Sequence, residues 1–290
     1  MQGSWQLLAD HIQHAFDLVK CICALKKARL DTPDNRQLLA GQAQHAAELT
    51  QGIETLHNRW RLSDQDNWEL LVGQAQHASE LADGICILRD EGLNRPVEIQ
   101  FLAEHAQHAT ELAWSICKLE EMGDNTRANR ELLARSPQHT SELVGGMDIL
   151  LQKGEGLYTK DNKELLAEYA QHASDLALGI CALQKAGLNT SDNRRLFAGQ
   201  AQYASELTQG IKALRREKLN TQDNWEFLAK HAQHASGLAQ GIISPDSIKN
   251  EDIRQIIDSR NESGVGSTPF FDHLGSPTGP GCESAPSLGN

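Results

Sequence analysis

The stretch Thr32-Pro33-Asp34-Asn35-Arg36-Gln37-Leu38-Leu39-Ala40-Gly41-Gln42-Ala43-Gln44-His45-Ala46-Ala47-Glu48-Leu49-Thr50-Gln51-Gly52-Ile53 decides the fold, because the chain repeats it. Its Gln-His pair returns at Gln13-His14, Gln44-His45, Gln76-His77, Gln107-His108, Gln138-His139, Gln171-His172 and Gln233-His234, with Gln202-Tyr203 in the same series. Successive His or Tyr positions are 31, 32, 31, 31, 33, 31 and 31 residues apart. Eight copies at so regular a spacing make a tandem repeat.

Each copy reads as two helices. The first opens at Thr32, Thr126, Thr159, Thr190 or Thr221, where a hydroxyl can accept from the unpaired N–H groups of the first turn. Pro33 suits the first helical position, and Asp34, Asp161, Asp192 and Asp223 follow on the side that the helix dipole favours. An apolar pair such as Leu38-Leu39, Leu132-Leu133 or Leu165-Leu166 comes next, and Gly41, Gly73 and Gly199 mark the end of a helix of roughly nine residues. The second helix is expected to start near the Gln-His pair. Ser136-Pro137 marks that start most clearly, as a cap followed by a helix-opening proline.

Beyond the pair, two columns run through all eight copies. One is Leu18, Leu49, Leu81, Leu112, Leu143, Leu176, Leu207 and Leu238. The other is Ile22, Ile53, Ile85, Ile116, Met147, Ile180, Ile211 and Ile242. With Leu25, Leu56 and their equivalents three residues on, they draw one apolar stripe at helical period. A glycine column (Gly52, Gly84, Gly146, Gly179, Gly210, Gly241) runs beside it. Glycine costs a helix roughly 1 kcal/mol against alanine, so its recurrence predicts close helix approach. A single unit buries too little apolar surface to offset the ordering of its own backbone, and neighbours must supply the rest. The expected fold is therefore all-α: an α-solenoid of about eight two-helix repeats of roughly 31 residues.

The array is expected over residues 1–243, a degenerate capping helix over 244–260 and a disordered tail over 261–290. Asp252-Ile253-Arg254-Gln255-Ile256-Ile257 echoes Asp34-Asn35-Arg36-Gln37-Leu38-Leu39, as a last first-helix covering the final apolar face. Met1 to Gln6 leaves almost no room for a cap at the other end, so either an N-terminal part is missing or that face binds something. Gly, Ser and Pro dominate after Asn261 and the period vanishes; Phe270-Phe271 reads as an incidental apolar pair there.

Aromatic residues make up only 5% of the chain, so Leu, Ile and Ala must build the core. The net charge of -12 argues against a nucleic-acid partner and against an anionic membrane surface. No run reaches membrane-span length, and the N-terminus lacks the basic and apolar regions of a Sec-type signal. Of six cysteines, five fall inside helical patterns and Cys282 lies in the tail, which fits a reducing, cytoplasmic compartment. Cys23, Cys86, Cys117 and Cys181 share a position with Glu54, Asp148 and Lys212, so that position is expected to be half exposed.

Aligned histidines are the residue type that binds metal or titrates near neutrality. A feature present in nearly every unit reads instead as architecture, with Gln and His tying the interhelix turn through bonds to the backbone. The pairs His11/His14, His105/His108 and His231/His234 lack a third ligand in sequence, so no metal is expected. Protonating the 12 histidines would nonetheless bring the chain close to neutral in mild acid. No nucleophile–base pattern, phosphate loop or metal motif appears, so the chain is expected to be no enzyme and to carry no cofactor. The periodic Glu48, Glu80, Glu111, Glu142 and Glu206 read as a solvated face.

Trp5, Trp68 and Trp225 fall at a position that elsewhere holds Arg36, Arg130, Lys163 or Arg194. A column shared by Arg, Lys and Trp reads as exposed, and exposed Trp and Arg anchor protein interfaces. It is the expected partner-binding face.

The opening T-x-D-N-x-x-L-L-A and the continuation A-Q-H-A-x-E-L-A-x-G-I resemble tandem helical repeats of effector-like proteins of intracellular bacteria such as Legionella and Coxiella, over about Trp5 to Ile242. The resemblance implies secretion into a host cell by a bacterial secretion system, binding of a host protein, and a tail that serves as secretion signal. The expected function is thus a non-enzymatic protein–protein interaction scaffold. Its rivals are a regulatory or substrate-targeting fragment of a larger enzyme and a metal- or pH-responsive binder built on the histidines.

Overall fold

A computed structural model describes residue 9 and residues 11–61, 64–153, 156–244 and 251–262. They form an all-α solenoid with no strand among them. The second helix of the first unit is α1 (Ala15–Ala28). Seven complete pairs follow: α2 (Pro33–Gly41) with α3 (Ala46–Trp60), α4 (Gln65–Gly73) with α5 (Ala78–Asp90), α6 (Pro96–Glu104) with α7 (Ala109–Glu121), α8 (Arg127–Arg135) with α9 (Thr140–Lys153), α10 (Lys160–Glu168) with α11 (Ala173–Ala186), α12 (Ser191–Ala198) with α13 (Ala204–Arg216), and α14 (Gln222–Lys230) with α15 (Ala235–Ile243). A last helix, α16 (Glu251–Glu262), packs on α15. There Ile257 is buried and the Ile253 side chain lies over Gly237, which stands where other units carry Glu or Asp.

The second helices lie side by side in one layer, each against the next, and the short first helices pack onto that layer. The core runs between the two. Leu18, Leu49, Leu81, Leu112, Leu143, Leu176, Leu207 and Leu238 are fully buried in it. From each first helix the second residue of the apolar pair joins them: Leu39, Leu71, Leu102, Leu133, Leu166, Phe197 and Leu228.

Gly52, Gly84, Gly146 and Gly210 sit where consecutive second helices meet, whereas Gly179 faces the Phe197 ring of α12 and Cys21 and Ser115 hold the position in two units. A methyl group at Gly52 would stand 2.7 Å from the Ala78 carbonyl oxygen; the same distance is 2.7 Å from Gly84 to Ala109 and 2.6 Å from Gly146 to Ala173. Main chain meets main chain at these joints, as the recurrence of glycine predicts.

Local geometry fixes each unit's corners. The Thr32, Thr126, Thr159, Thr190 and Thr221 hydroxyls each accept from the N–H three residues on, at 3.1 to 3.3 Å, and Asp64 does the same for Asn67 at 2.9 Å. The Gln-His pair stands immediately before the second helix, as its place in the sequence predicts. It lies in a 3-10 turn such as Ala43–His45, closed by the His45 N–H donating to the Gln42 carbonyl at 2.8 Å, and the α-helix begins one residue after the histidine. Likewise Pro137 opens a 3-10 turn rather than an α-helix, and Ser136 makes no side-chain cap bond. The second helices end in a left-handed residue: Gly187 in α11, and Arg29, Arg61 and Lys218 in units without that glycine. The loop closes with paired bonds, Leu188 N–H to the Leu183 carbonyl at 2.9 Å and Gly187 N–H to the Gln184 carbonyl at 3.1 Å.

Candidate interaction surface

The fourth residue of each first helix belongs to the column singled out as a partner face, and the structure corrects that reading. Trp68 and Trp225 are only 1% exposed. Trp225 stacks on Phe197 of the preceding unit, with ring centroids 5.9 Å apart. The charged members are tied down rather than displayed. Arg36 makes a two-pronged ion pair with Asp31 at 2.6 Å. Arg130 is buried, donating to Asn125 Oδ1 at 2.8 Å and to Glu98 at 3.3 Å. Lys163 reaches Asp124 at 2.9 Å and lies over the Tyr158 ring, while Arg194 reaches Asn189 Oδ1 at 3.2 Å. Trp5 lies outside the described residues.

The physical reason is position. The first turn of the helix folds back over the loop before it, so a long cation lays its stem on apolar surface and bonds the loop. A tryptophan at the same place fills the core. Burial would raise the Asp124 carboxyl, but hydrogen bonds from Tyr158, Lys163 and Asn129 offset it and hold the carboxyl below the usual range. Burial and the Asp124 charge push the Tyr158 hydroxyl up.

One residue earlier sits a column whose role the sequence reading missed. Asn35, Asn129, Asn162, Asn193 and Asn224 each donate their side-chain amide to the carbonyl five residues back, at 2.7 to 2.8 Å. That carbonyl lies in the tight loop, so the asparagine staples one unit's end to the next unit's start. Asn35 and Asn193 also exchange amide bonds with Gln65 and Gln222 of the following unit, all at 3.0 Å. The α6 helix breaks the pattern with Glu98, fully buried between Arg95 at 2.6 Å and Arg130 at 3.3 Å. Fixed offset from the capping threonine was the available signal.

The Gln-His ladder lies at the surface, and its side chains make no bond to the backbone of the turn among the described residues. In four units the Gln amide nitrogen instead sits 2.7 to 3.0 Å from the Nε2 of the adjacent histidine. Among the described residues no three His, Cys, Asp or Glu side chains converge on a metal position. Cys86, Cys117 and Cys181 are buried and Cys23 is exposed, so none of the four is half exposed as expected. Burial pushes the Cys86 and Cys117 thiols up to about 11, so they stay protonated and poorly nucleophilic near neutrality.

The outer side of the second-helix layer carries the side chains that vary from unit to unit. One column there reads Lys20, Gln51, Asp83, Trp114, Gly145, Leu178, Gln209 and Gln240. Trp114 is 58% exposed in it. Between α4 and α6 lies an open groove of about 370 Å³, lined by Leu70, Gly73 and Ala103 and edged by Asp66, Glu69 and Glu104. No described helix is long and apolar enough to cross a membrane. Neither family models, characterised proteins nor solved structures give a match to this chain.

Proposed function

We propose that the chain is a non-enzymatic interaction scaffold whose second-helix face presents side chains to a protein partner. The eight copies serve as their own comparison. Buried columns hold Leu, Ile or Gly almost without exception, while the outward column runs through lysine, glutamine, aspartate, tryptophan, glycine and leucine. The observation that carries the reading is Trp114: an exposed indole stands where the flanking units place Asp83 and Gly145. Large exposed aromatics of this kind anchor protein interfaces. The resemblance to effector repeats supports a host protein as the partner and a host cell as the place of action.

The test is affinity capture from host-cell lysate with wild type, Trp114→Ser and the buried-core control Leu112→Val. Recovery of a specific protein that Trp114→Ser loses and Leu112→Val keeps is expected. Undiminished recovery by Trp114→Ser refutes the face. Recovery of nothing above a scrambled-repeat control refutes the scaffold.

A further inference from the structure

Ile12, Phe16, Val19 and Cys23 follow one another at steps of four, three and four residues, on one edge of the first unit. All four are exposed, Ile12 at 80%, Phe16 at 72% and Val19 at 45%. Steps of four and three draw the seam along which two helices pair.

The same positions in later units show what this edge does. Ile12 corresponds to Ala43, Ala75 and Ala106, and Val19 to Ala82, Ala113 and Ala177; all of these alanines are buried. Phe16 corresponds to Ser79, Thr110 and Ser174. The hydroxyl of Thr110 bonds Glu80, and that of Ser174 bonds the Glu142 carbonyl at 3.3 Å, each on the preceding second helix. At the Phe16 position every later unit holds Ala, Ser or Thr, and at the Val19 position Ala, Thr or, once, the buried Val144. In α1 the edge is bulky and apolar, and the Phe16 ring, although the Lys20 ammonium lies 4.1 Å from its centroid, stays largely exposed. An edge carrying the Phe16 ring, where later units hold only Ala, Ser or Thr, is also too thick for the close spacing set at the glycine joints.

We propose that this edge pairs with the same edge of a second copy, α1 against α1 in antiparallel orientation. Three features select that occupant. The array's other edge is covered by α16 through Ile253 and Ile257, so head-to-tail stacking is blocked. The pairing uses the edge by which each later second helix meets the one before it, with the partner helix reversed in direction. The seam is also self-complementary. A two-fold axis between Phe16 and Val19 sets Phe16 against Val19 of the second copy and Ile12 against its Cys23. The same axis brings each Asp17 near the second copy's Lys20. An isologous contact of this kind closes on itself and stops at two copies.

Sedimentation equilibrium of the full chain over a concentration series tests the pairing. Wild type is expected to be a monomer–dimer mixture. Phe16→Ser with Val19→Ala is expected to weaken dimerisation by about a hundredfold or more, since each change counts twice in a two-fold contact. The double variant carries the residues that unit three already uses at Ser79 and Ala82, so its circular dichroism and melting temperature should match wild type. The register has its own readout in a Cys282→Ser background. Ile12→Cys should cross-link under oxidation, and further Cys23→Ser should abolish the link. A wild-type chain that stays monomeric, or a double variant that dimerises equally well, overturns the proposal. Cross-linking of Cys23 without Ile12→Cys overturns the antiparallel register.

Discussion

Gly145 and Gly146 are neighbours in α9 and should respond to the same substitution with opposite signs. Alanine in place of glycine inside a helix gains about 1 kcal/mol from backbone entropy, and that gain is common to both. At Gly145 the added methyl meets the Ser174 hydroxyl at 3.0 Å, the end of a side chain that can rotate away. Gly145→Ala should therefore keep most of the gain. At Gly146 the methyl would lie 2.6 Å from the Ala173 carbonyl oxygen and 2.8 Å from its carbon. These are main-chain atoms in the next unit, and relieving the overlap means prising α9 from α11. Forced overpacking of this kind costs about 1–3 kcal/mol, or more where the backbone must move, so Gly146→Ala should be net destabilising by ~1–2 kcal/mol. Urea unfolding followed by circular dichroism measures both. Native-state hydrogen exchange then shows whether the loss centres on the α9–α11 joint, because repeat arrays can depart from two-state behaviour. If Gly146→Ala stabilises the protein as much as Gly145→Ala does, the glycine column has no packing role and the account of the joints fails.

Three other perturbations follow from the corners and the buried ions. Arg29, Arg61 and Lys218 hold φ of 61°, 56° and 62°; Lys218→Gly should stabilise by about 0.5–1 kcal/mol and Gly187→Ala should destabilise by about 1 kcal/mol, both read from urea midpoints. Glu98→Ala strands Arg130 and should cost about 3 kcal/mol, whereas Glu98→Asn restores the staple used in other units and should cost less; equal losses in thermal unfolding would contradict the staple. The His231 ring is held below the ordinary imidazole range by burial first, and by Lys230 and His234. The folded state thus disfavours its proton, and stability present above the unfolded value of about 6.5 is lost as pH falls through the lowered folded one. His231→Gln, the residue at the equivalent Gln42 and Gln74, should lessen the drop in melting temperature between neutral and mildly acid pH.

Periodicity was enough to read the helix pairs, the threonine caps and the glycine joints, because each rests on local spacing or on a stripe that only one packing can bury. The partner face was misread for a physical reason. Arg36 and Trp68 share a position, and composition alone cannot separate a cation that bonds a loop from one that projects into water. The informative sign was a second residue: Asp31, Asn125, Tyr158 and Asn189 each stand five places before the cation they contact. The exposed side chains of Trp114 and Phe16 break the repeat at single units. A search for what recurs passes over such places.

The glycine joints carry a consequence for how such a chain changes length. Since the steps at Gly52, Gly84, Gly146 and Gly210 are set by main-chain atoms of the next unit, a copy of such a unit arrives with its own fitting for its neighbour. Unequal recombination within the coding sequence could therefore add or drop whole modules without redesigning any interior, while point changes on the outer layer go on independently.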